Sequence, residues 1–581
     1  MKSQYKFKDY TFGQLKDEIT MPDFQRSLVW KDKQKESFIQ TAVEGKPFGV
    51  LMLYDDVKSG KLLVIDGLQR FTTLKRYDES PFEFFDISVE KYPEIKRIQE
   101  VISEIYDQDS SDSIIKNIIS DLKKVVSNHK EIRNTKFGDI VTAEICKNYP
   151  YILHTKYENI IFRIVTEMWI RLHDLIDINA LTIPAIVFKG EESELPSIFE
   201  RLNQGGTKLS KYEVFASSWK SILLVGVDRD ITERVEKRYI SIMEETELEI
   251  DGYVEGSIIA QESVSLYEYA FAFGKILKDN NKTLINSSKS KSDDAVDSIG
   301  FTTLITFLGK HIKDMSKLKD YINSQVKPSN LSKFKRVILM VYNEVEEILK
   351  PYVQDYNKYI ESQVLSIVYT WFKINYNFDI ETFEATRKTG VDEAIAKFKK
   401  YMPFRFINDS LRSFWSGHGD NSLNEVINSD LKHNRYLTPI EFDQWKSHLD
   451  EWIEQQMRSS LKNFTSDVKM FYAYVNKLLG YQCLENPYVQ YVIPKKMVQS
   501  IPAMVPISPL GNIYFLPRGS RSERNTFLPK VLSHHRIDWE YPIMDKLEFM
   551  MNDKLDEHTY VSFIIERHKY LIEVFLDNLP T

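Results

Sequence analysis

The segment Ile65–Leu74, IDGLQRFTTL, carries the residues whose types and spacing point most directly to chemistry. Apolar, β-forming runs at 50–54 and 62–65 predict two strands joined by a turn. The second run stops at Asp66-Gly67 and continues as a helix-like segment, 68–77. A strand that ends in Asp-Gly and opens a helix brings backbone N–H groups and the positive end of the helix dipole to one point, where a phosphate group can bind.

Polar side chains of the same segment add to this predicted phosphate site. Arg70 offers a cation that can make paired hydrogen bonds, Gln69 an amide, and Thr72 and Thr73 hydroxyl groups. Asp66 supplies a carboxylate that could hold a divalent cation, Mg²⁺ or Mn²⁺, between phosphates. The alternative interpretation is a charged hairpin whose turn is simply solvated.

An earlier segment, MPDFQRSLVW at 21–30, contributes a second Gln-Arg pair, Gln25 and Arg26. With the intervening FIQTAVEGKPFGVLMLY, the two segments resemble the amino-terminal domain of the GmrSD-type family of modification-dependent restriction proteins. Phosphorothioate-sensing SspE-type defence proteins share that domain. The resemblance implies a ParB/sulfiredoxin-like α/β core that binds and hydrolyses a nucleoside triphosphate.

The motif of that family reads Asp-Gly-Gln-Gln-Arg, and this chain has Leu68 in place of the first Gln. A third segment, IFERLNQGGTKLS at 198–210, resembles the family's Phe-x-x-Leu-Asn-x-x-Gly. By this resemblance, the catalytic residues are Asp66, Gln69 and Arg70, with Asp66 also the metal ligand. The implied nucleotide-binding residues are Gln25, Arg26, Gly67, Thr72, Thr73 and Asn203.

Composition limits the class of protein. The 581 residues are too many for one ordinary core, and 43% hydrophobic and 13% aromatic residues indicate a folded chain. The net charge of -7 gives no global basic signature, so any nucleic acid must bind a local patch. Two cysteines, Cys146 and Cys483, exclude a disulfide framework and a Cys-x-x-Cys site. Without a signal peptide or a long apolar run, we expect a cytoplasmic protein with no membrane partner.

Periodicity predicts an α+β, predominantly helical chain in three domains. These are a nucleotide-binding ParB-like domain at 1–220, a helical coupling region at 221–457 and an HNH-like domain at 458–581. Leu181–Lys189 is continuously apolar and predicts a strand buried on both faces. Helices are predicted at 113–126, 157–178 and 561–576. Another is predicted to begin with Thr438, Pro439 and Glu441 at its N-cap, N1 and N3 positions.

The carboxy-terminal order resembles the HNH-type endonuclease domain of GmrSD and SspE relatives. An HNH site uses an imidazole as general base and a metal held by neighbouring carboxylate, His or Asn groups. By this resemblance, Pro494 matches the proline after the catalytic strand, and Gly511 matches the glycine of the family's Gly-Asn pair. The implied HNH-like positions are Gln490, Tyr491, Asn512, Asn525 and Lys530. Because an amide and a phenol stand where an acid and a His are expected, we interpret the domain as a degenerate, ββα-containing nuclease. His534 and His535 could replace the base, although adjacent loop histidines are more often exposed and unused.

Basic residues surround this HNH-like segment. Between Lys495 and Arg536 the one acidic residue is Glu523. Such a patch would follow a phosphate backbone with little sequence preference, although a solvated loop explains the composition about as well. The predicted DNA-binding residues are Lys495, Lys496, Arg518, Arg521, Arg524 and Arg536.

Three functional hypotheses follow. The first is a bacterial anti-phage defence protein that binds and hydrolyses a nucleoside triphosphate and engages DNA, modified phage DNA included. The second is a nucleotide-gated DNA sensor without catalysis, which Leu68 favours. The third is an active endonuclease with a non-standard HNH site built on His534 or His535. A partner defence subunit and an oligomeric state remain open in all three.

Overall fold

The computed structural model describes residues 5–22, 30–56, 60–84, 87–106, 110–127, 136–190, 215, 219–250, 252–281, 284–285, 298–350, 360–458, 463–479, 488–501, 505–516 and 556–580. The chain divides into two compact units. The first contains Met1–Lys220 and Glu236–Ala260, and the second contains Ser221–Val235, Gln261–Lys291 and Asp297–Thr581. The expected separation of 221–457 from 458–581 stays a prediction.

A mixed five-stranded sheet organises the first unit. Its strands are β1 (Tyr5–Thr11), β2 (Ile19–Thr20), β3 (Leu51–Asp56), β4 (Lys61–Asp66) and β5 (Thr182–Phe188), in the order β1-β5-β3-β4-β2. β3 runs antiparallel to β4 and parallel to β5, β2 runs parallel to β4, and β1 runs antiparallel to β5. β2 and β4 therefore end at the same edge of the sheet, where β3 begins.

The predicted strand–turn–strand–helix order is confirmed. Strands predicted at 50–54 and 62–65 correspond to β3 and β4, and the helix predicted at 68–77 is Leu68–Glu79. The strand predicted at Leu181–Lys189 is β5, but burial on both faces was wrong. Ile183, Ala185 and Val187 are buried on one face. On the opposite face Phe188 is buried, but Pro184 and Ile186 are only half-buried.

Seven helices are described between residues 12 and 173 of the first unit: α1 (Phe12–Leu15), α2 (Asp32–Val43), α3 (Leu68–Glu79), α4 (Glu94–Ser103), α5 (Ser111–Ser127), α6 (Phe137–Asn148) and α7 (Lys156–His173). α4 to α7 share an apolar core that includes Ile98, Ile118, Val141 and Met168. The prediction that α7 continues to Ile178 was wrong, because the helix closes at His173 and the chain turns towards β5.

The second unit is mostly helical. α8 (Arg229–Thr246) and α9 (Ser257–Gln261) each have residues in both units. The remaining described helices are α10 (Leu266–Asn280), α11 (Ser298–Phe307), α12 (Leu318–Tyr321), α13 (Pro328–Leu349), α14 (Glu361–Asn375), α15 (Asp392–Leu411), α16 (Gly419–Asn428), α17 (Phe442–Arg458), α18 (Ser466–Leu478), α19 (Lys495–Gln499) and α20 (Glu557–Asp577).

Three short antiparallel strand pairs complete the second unit. They are β6 (Leu223–Val225) with β7 (Ser263–Ser265), β8 (Tyr376–Asp379) with β9 (Glu384–Arg387), and β10 (Tyr488–Tyr491) with β11 (Ile513–Leu516). The fold is thus α+β and predominantly helical, as predicted. No helix in the described part of the chain is both long and apolar enough to cross a membrane.

The predicted start of α17 was wrong. The helix begins at Phe442 and not after Thr438. The carbonyl of Glu441, just before it, accepts a hydrogen bond from Trp445 N–H at 3.0 Å. Tyr436 and Leu437 are buried, and Leu437 N–H closes a turn onto Asn434. Burial of this turn fixes the chain outside the helix at Thr438, so tertiary packing overrides the local capping signal.

Candidate functional site

The first candidate site lies where β4 ends and α3 begins. Arg70 Nη2 donates to Asp66 Oδ2 at 2.9 Å, one helical turn apart. The Asp66 side chain is 41% exposed and that of Arg70 is 19% exposed. Solvent therefore reaches the carboxylate readily, while the guanidinium is partly enclosed and held by its partner.

Gly67 makes the sharp transition from strand to helix. Its φ of +99° is left-handed, and its carbonyl accepts the first backbone bond of α3 from Phe71 N–H at 2.9 Å. The amides ahead of Phe71 thus form the N-terminal end of a twelve-residue helix. A Cβ on Gly67 would lie 2.3 Å from Leu51 Cδ2 and 3.2 Å from Arg70 Nη2.

Gly49, just before β3, forms the other side of the Arg70 site. Its φ is +96°, and a Cβ there would lie 2.3 Å from Arg70 Nη1. The guanidinium of Arg70 therefore lies against two glycines. A side chain at either position would crowd it. Gly49 was not predicted from the sequence, where its signal is a glycine next to the start of a predicted strand; that strand pairs with the strand of Asp66.

Gln69 connects the two sequence segments that contain Gln-Arg pairs. Its Oε1 accepts from Trp30 N–H at 3.0 Å, across thirty-nine positions of sequence. Trp30 packs on Phe38 with ring centroids 5.4 Å apart, and Phe38 on Phe48 at 5.5 Å. The end of the 21–30 segment is therefore anchored at the start of α3, as the pairing of the motifs suggested.

The two predicted threonines of α3 are buried and do not face solvent. Thr72 and Thr73 are buried, and their hydroxyls donate to the helix carbonyls of Leu68 at 2.8 Å and Gln69 at 2.6 Å. Leu68 is also buried, at 4% exposure. The position at which this chain has Leu instead of the family's Gln is therefore on the core-facing side of the helix, whereas Gln69 and Arg70 are half-buried. Gln25, Arg26 and Asn203 lie outside the described residues.

The second candidate site is the β10–β11 pair with its HNH-like residues. Gln490 pairs with Tyr514 and is 1% exposed, and Tyr491 pairs with Ile513. The Tyr491 hydroxyl is 3.1 Å from Ser508 Oγ. A buried amide and a hydrogen-bonded phenol thus occupy the positions where the family resemblance expects an acid and a base.

Asn512 stabilises the segment between the strands. Its Oδ1 accepts from Ile493 N–H at 2.8 Å, and its Nδ2 donates to the carbonyls of Ile493 at 3.2 Å and Ile507 at 2.9 Å. The side chain is fully buried. These bonds engage both ends of its amide in backbone contacts.

The remaining carboxy-terminal residues divide into two groups. Lys495 is half-buried and Lys496 is exposed at the start of α19. Among the described residues, no group of three or more His, Cys, Asp or Glu side chains could hold a metal ion. The predicted residues outside the described part of the chain are Asn525, Lys530, Arg518, Arg521, Arg524, Arg536, His534 and His535.

Comparison with known proteins gives two matches. Residues 7–220 match the family model of the GmrSD restriction endonuclease N-terminal domain. The chain is also similar to an uncharacterised protein of Methanocaldococcus jannaschii, at 22% identity over 34% of this chain and 39% of that protein. The chain therefore spans well under half the length of this curated relative.

Proposed function

Since residues 7–220 belong to the GmrSD restriction endonuclease N-terminal domain family, we propose that the protein acts in restriction of foreign DNA under control of a nucleoside triphosphate. The nucleotide binds where β4 meets α3. The observation that carries the proposal is the Asp66–Arg70 pair, 2.9 Å apart, beside the N-terminal end of α3.

The electrostatics of this point favour a phosphate group. A helix N-terminus offers amide donors and a partial positive charge, and Arg70 adds a full charge in a partly enclosed position. Arg70 has Asp66 as an ion-pair partner that is more exposed than itself. A bound phosphate can therefore replace Asp66 as the hydrogen-bond acceptor of Arg70. The Asp66 carboxylate is then available to a divalent cation.

A divalent cation fits this arrangement only together with the nucleotide. Asp66 would be its protein ligand, since Mg²⁺ is commonly held by one or two carboxylates and the substrate phosphates. When bound, the cation would neutralise charge on the phosphates. The residues of the chain do the rest: Arg70 orients the phosphates, and Gln69 is positioned by its bond from Trp30 N–H.

Burial of Leu68 bears on the choice between hydrolysis and a sensor without catalysis. The sensor hypothesis depends on Leu68 removing a hydrogen-bonding group from the site. With Leu68 in the core, the solvent-accessible positions Asp66, Gln69 and Arg70 keep the polar residues of the motif. This supports nucleotide hydrolysis as the first candidate activity.

At the carboxy-terminal end we propose DNA binding without efficient cleavage by this chain. Lys496 and neighbouring basic residues would contact the phosphate backbone. Gln490 and Tyr491 supply neither a carboxylate nor an imidazole, and loss of a general base typically lowers a rate by roughly 10²- to 10⁴-fold. DNA cutting, where it occurs, would then need another residue or a partner subunit.

The test is nucleotide turnover with Mg²⁺, with and without DNA, by wild type, Asp66→Ala and Arg70→Ala. We expect each variant to lower turnover by roughly 10²-fold or more, because each removes a charge next to the phosphates. Arg97→Ala is the matched control, since Arg97 forms an exposed ion pair with Glu167 at 2.7 Å in the same unit. Turnover that survives in both site variants would refute the assignment.

A further inference from the structure

Three aromatic rings, which we call the aromatic wall, lie together in the first unit: Trp30, Phe38 and Phe48. Trp30 packs on Phe38 with ring centroids 5.4 Å apart and an interplanar angle of 59°, and Phe38 packs on Phe48 at 5.5 Å and 78°. Phe38 is 7% exposed, whereas Trp30 and Phe48 are half-buried. Phe38 therefore supports the wall from inside, and the two outer rings keep surface that is open to solvent.

Both ends of the aromatic wall connect to the candidate phosphate site. At one end, Trp30 N–H donates to Gln69 Oε1 at 3.0 Å, and Gln69 immediately precedes Arg70. At the other end, Phe48 immediately precedes Gly49, and a Cβ on Gly49 would lie 2.3 Å from Arg70 Nη1. The wall is thus tied to the surroundings of the Arg70 guanidinium from two sides.

The chain on the Phe48 side of Arg70 is apolar and accessible. Residues 47–50 read Pro-Phe-Gly-Val and carry no charged side chain, and Val50 is 39% exposed. A ligand that fills this region would place negative charge at Arg70 and a flat, apolar group against the neighbouring rings. A nucleoside triphosphate has both parts, because its base is flat and is joined through the sugar to the phosphates.

We propose that the base of the bound nucleotide stacks on the aromatic wall, with Trp30 as the main contact. This inference rests on the proposed function, because phosphates held at Arg70 bring the base to the wall. Every base has an aromatic face, and stacking on an aromatic side chain adds binding free energy that a bare phosphate chain does not gain. Indole is the largest aromatic side chain, so Trp30 offers the most surface for stacking.

The experiment compares nucleotides with a phosphate chain that has no base. Binding to the full chain is measured by calorimetry with Mg²⁺, using the β,γ-imido analogues of ATP, GTP, CTP and UTP beside inorganic tripolyphosphate. We expect at least one analogue to bind about tenfold or more tightly than tripolyphosphate, because only the analogues can stack. Equal affinity of the wild-type chain for tripolyphosphate and for every analogue would overturn the inference.

Variants at position 30 isolate the ring from the backbone. Trp30→Leu keeps the backbone donor to Gln69 and an apolar side chain beside Phe38. Its Kd for the tightest analogue should rise about tenfold, whereas its Kd for tripolyphosphate should change by less than about twofold. Trp30→Tyr keeps an aromatic ring and should retain most of the nucleotide affinity.

Trp169→Leu is the matched control. Trp169 is another half-buried tryptophan of the first unit, and it stacks on His173 with ring centroids 4.7 Å apart. Its replacement should leave both Kd values unchanged. If Trp30→Leu lowers the Tm, Phe48→Leu takes its place, because it removes the other open ring of the wall.

Arg70→Ala separates this inference from the proposed function. Tripolyphosphate binding that survives in Arg70→Ala would refute the phosphate site, as would a wild-type chain that binds none of these ligands. The ratio of the nucleotide Kd to the tripolyphosphate Kd decides the stacking by itself. A ratio that Trp30→Leu leaves unchanged, whether both ligands bind normally or both bind more weakly, would show that the wall serves packing and does not hold the base.

Discussion

The start of α3 and the β10–β11 pair both contain residues predicted from the sequence to form functional sites, but the structure places the two sets differently. Asp66 and Arg70 form a partly exposed ion pair whose partners an incoming phosphate can separate. Gln490 and Asn512 are buried, and the amide of Asn512 bonds to backbone groups of Ile493 and Ile507 in the segment that joins β10 to β11. A motif residue that stays accessible can serve a ligand, whereas one enclosed by backbone hydrogen bonds serves the fold.

The largest expected effect tests the structural role of Asn512. Asn512→Ala removes three hydrogen bonds and leaves Ile493 and Ile507 backbone groups buried without them. We expect the free energy of unfolding of the second unit to fall by about 3 kcal/mol, measured by urea denaturation. Asn428→Ala on α16, where the amide bonds to Asn424 on the surface, should cost well under about 1 kcal/mol. Equal losses of stability in the two variants would show that the Asn512 hydrogen bonds do not hold the segment between β10 and β11.

A second prediction concerns His568, which is buried on α20. Its neighbour in sequence, Arg567, donates a hydrogen bond to the carbonyl of Gly511. Burial, with a smaller effect of Arg567, lowers the pKa of His568 to about 3. Between that pKa and about 6.5, the unfolded chain binds the proton more readily, so stability falls as the pH drops below about 6.5.

At pH 5 this cost amounts to about 2 kcal/mol. His568→Phe should remove it, so the variant should lose less stability than wild type between pH 7 and pH 5 in thermal denaturation. His558→Phe replaces an exposed histidine on the same helix and should retain the wild-type pH dependence. A pH profile unchanged by His568→Phe would show that this histidine does not titrate as its burial requires.

A third prediction tests the packing of Arg70 at the amino-terminal site while all of the polar groups of the site are kept. Gly49→Ala places a Cβ 2.3 Å from Arg70 Nη1, so the guanidinium must move. We expect the Kd for nucleotide to rise about tenfold, as for loss of a charge-assisted hydrogen bond. Gly45→Ala also strains a left-handed glycine, with φ +64°, but its Cβ would meet no atom within 4 Å. Nucleotide binding should therefore remain normal in that control.

The smallest effect is expected at Lys496. Lys496→Ala removes one exposed positive charge, so the salt dependence of DNA binding should lose roughly one phosphate contact and the affinity should fall by about two- to threefold. Lys399→Ala, an exposed lysine on α15, serves as the control. If fluorescence anisotropy finds equal losses for both variants, the basic region after β10 has no special part in DNA binding.

Local sequence was sufficient for much of the amino-terminal region. The β3–β4–α3 order followed from short-range signals: β-forming runs, an Asp-Gly break and helical periodicity. The same kind of reasoning failed at Thr438, where burial of Tyr436 and Leu437 decided where α17 begins. It also failed for the two faces of β5, because their coverage depends on how other elements pack against the sheet.

The local arrangement at the start of α3 could be predicted from the sequence alone, because Asp66, Gly67, Gln69 and Arg70 are neighbours whose positions depend on one strand, one turn and one helix. The tertiary structure alone decided which distant groups meet them. Gly49 borders Arg70 because β3 pairs with β4, and the aromatic wall borders the same site because Trp30 bonds to Gln69 and packs on Phe38 of α2. Contacts of that kind depend on packing between remote parts of the chain, which residue spacing does not encode.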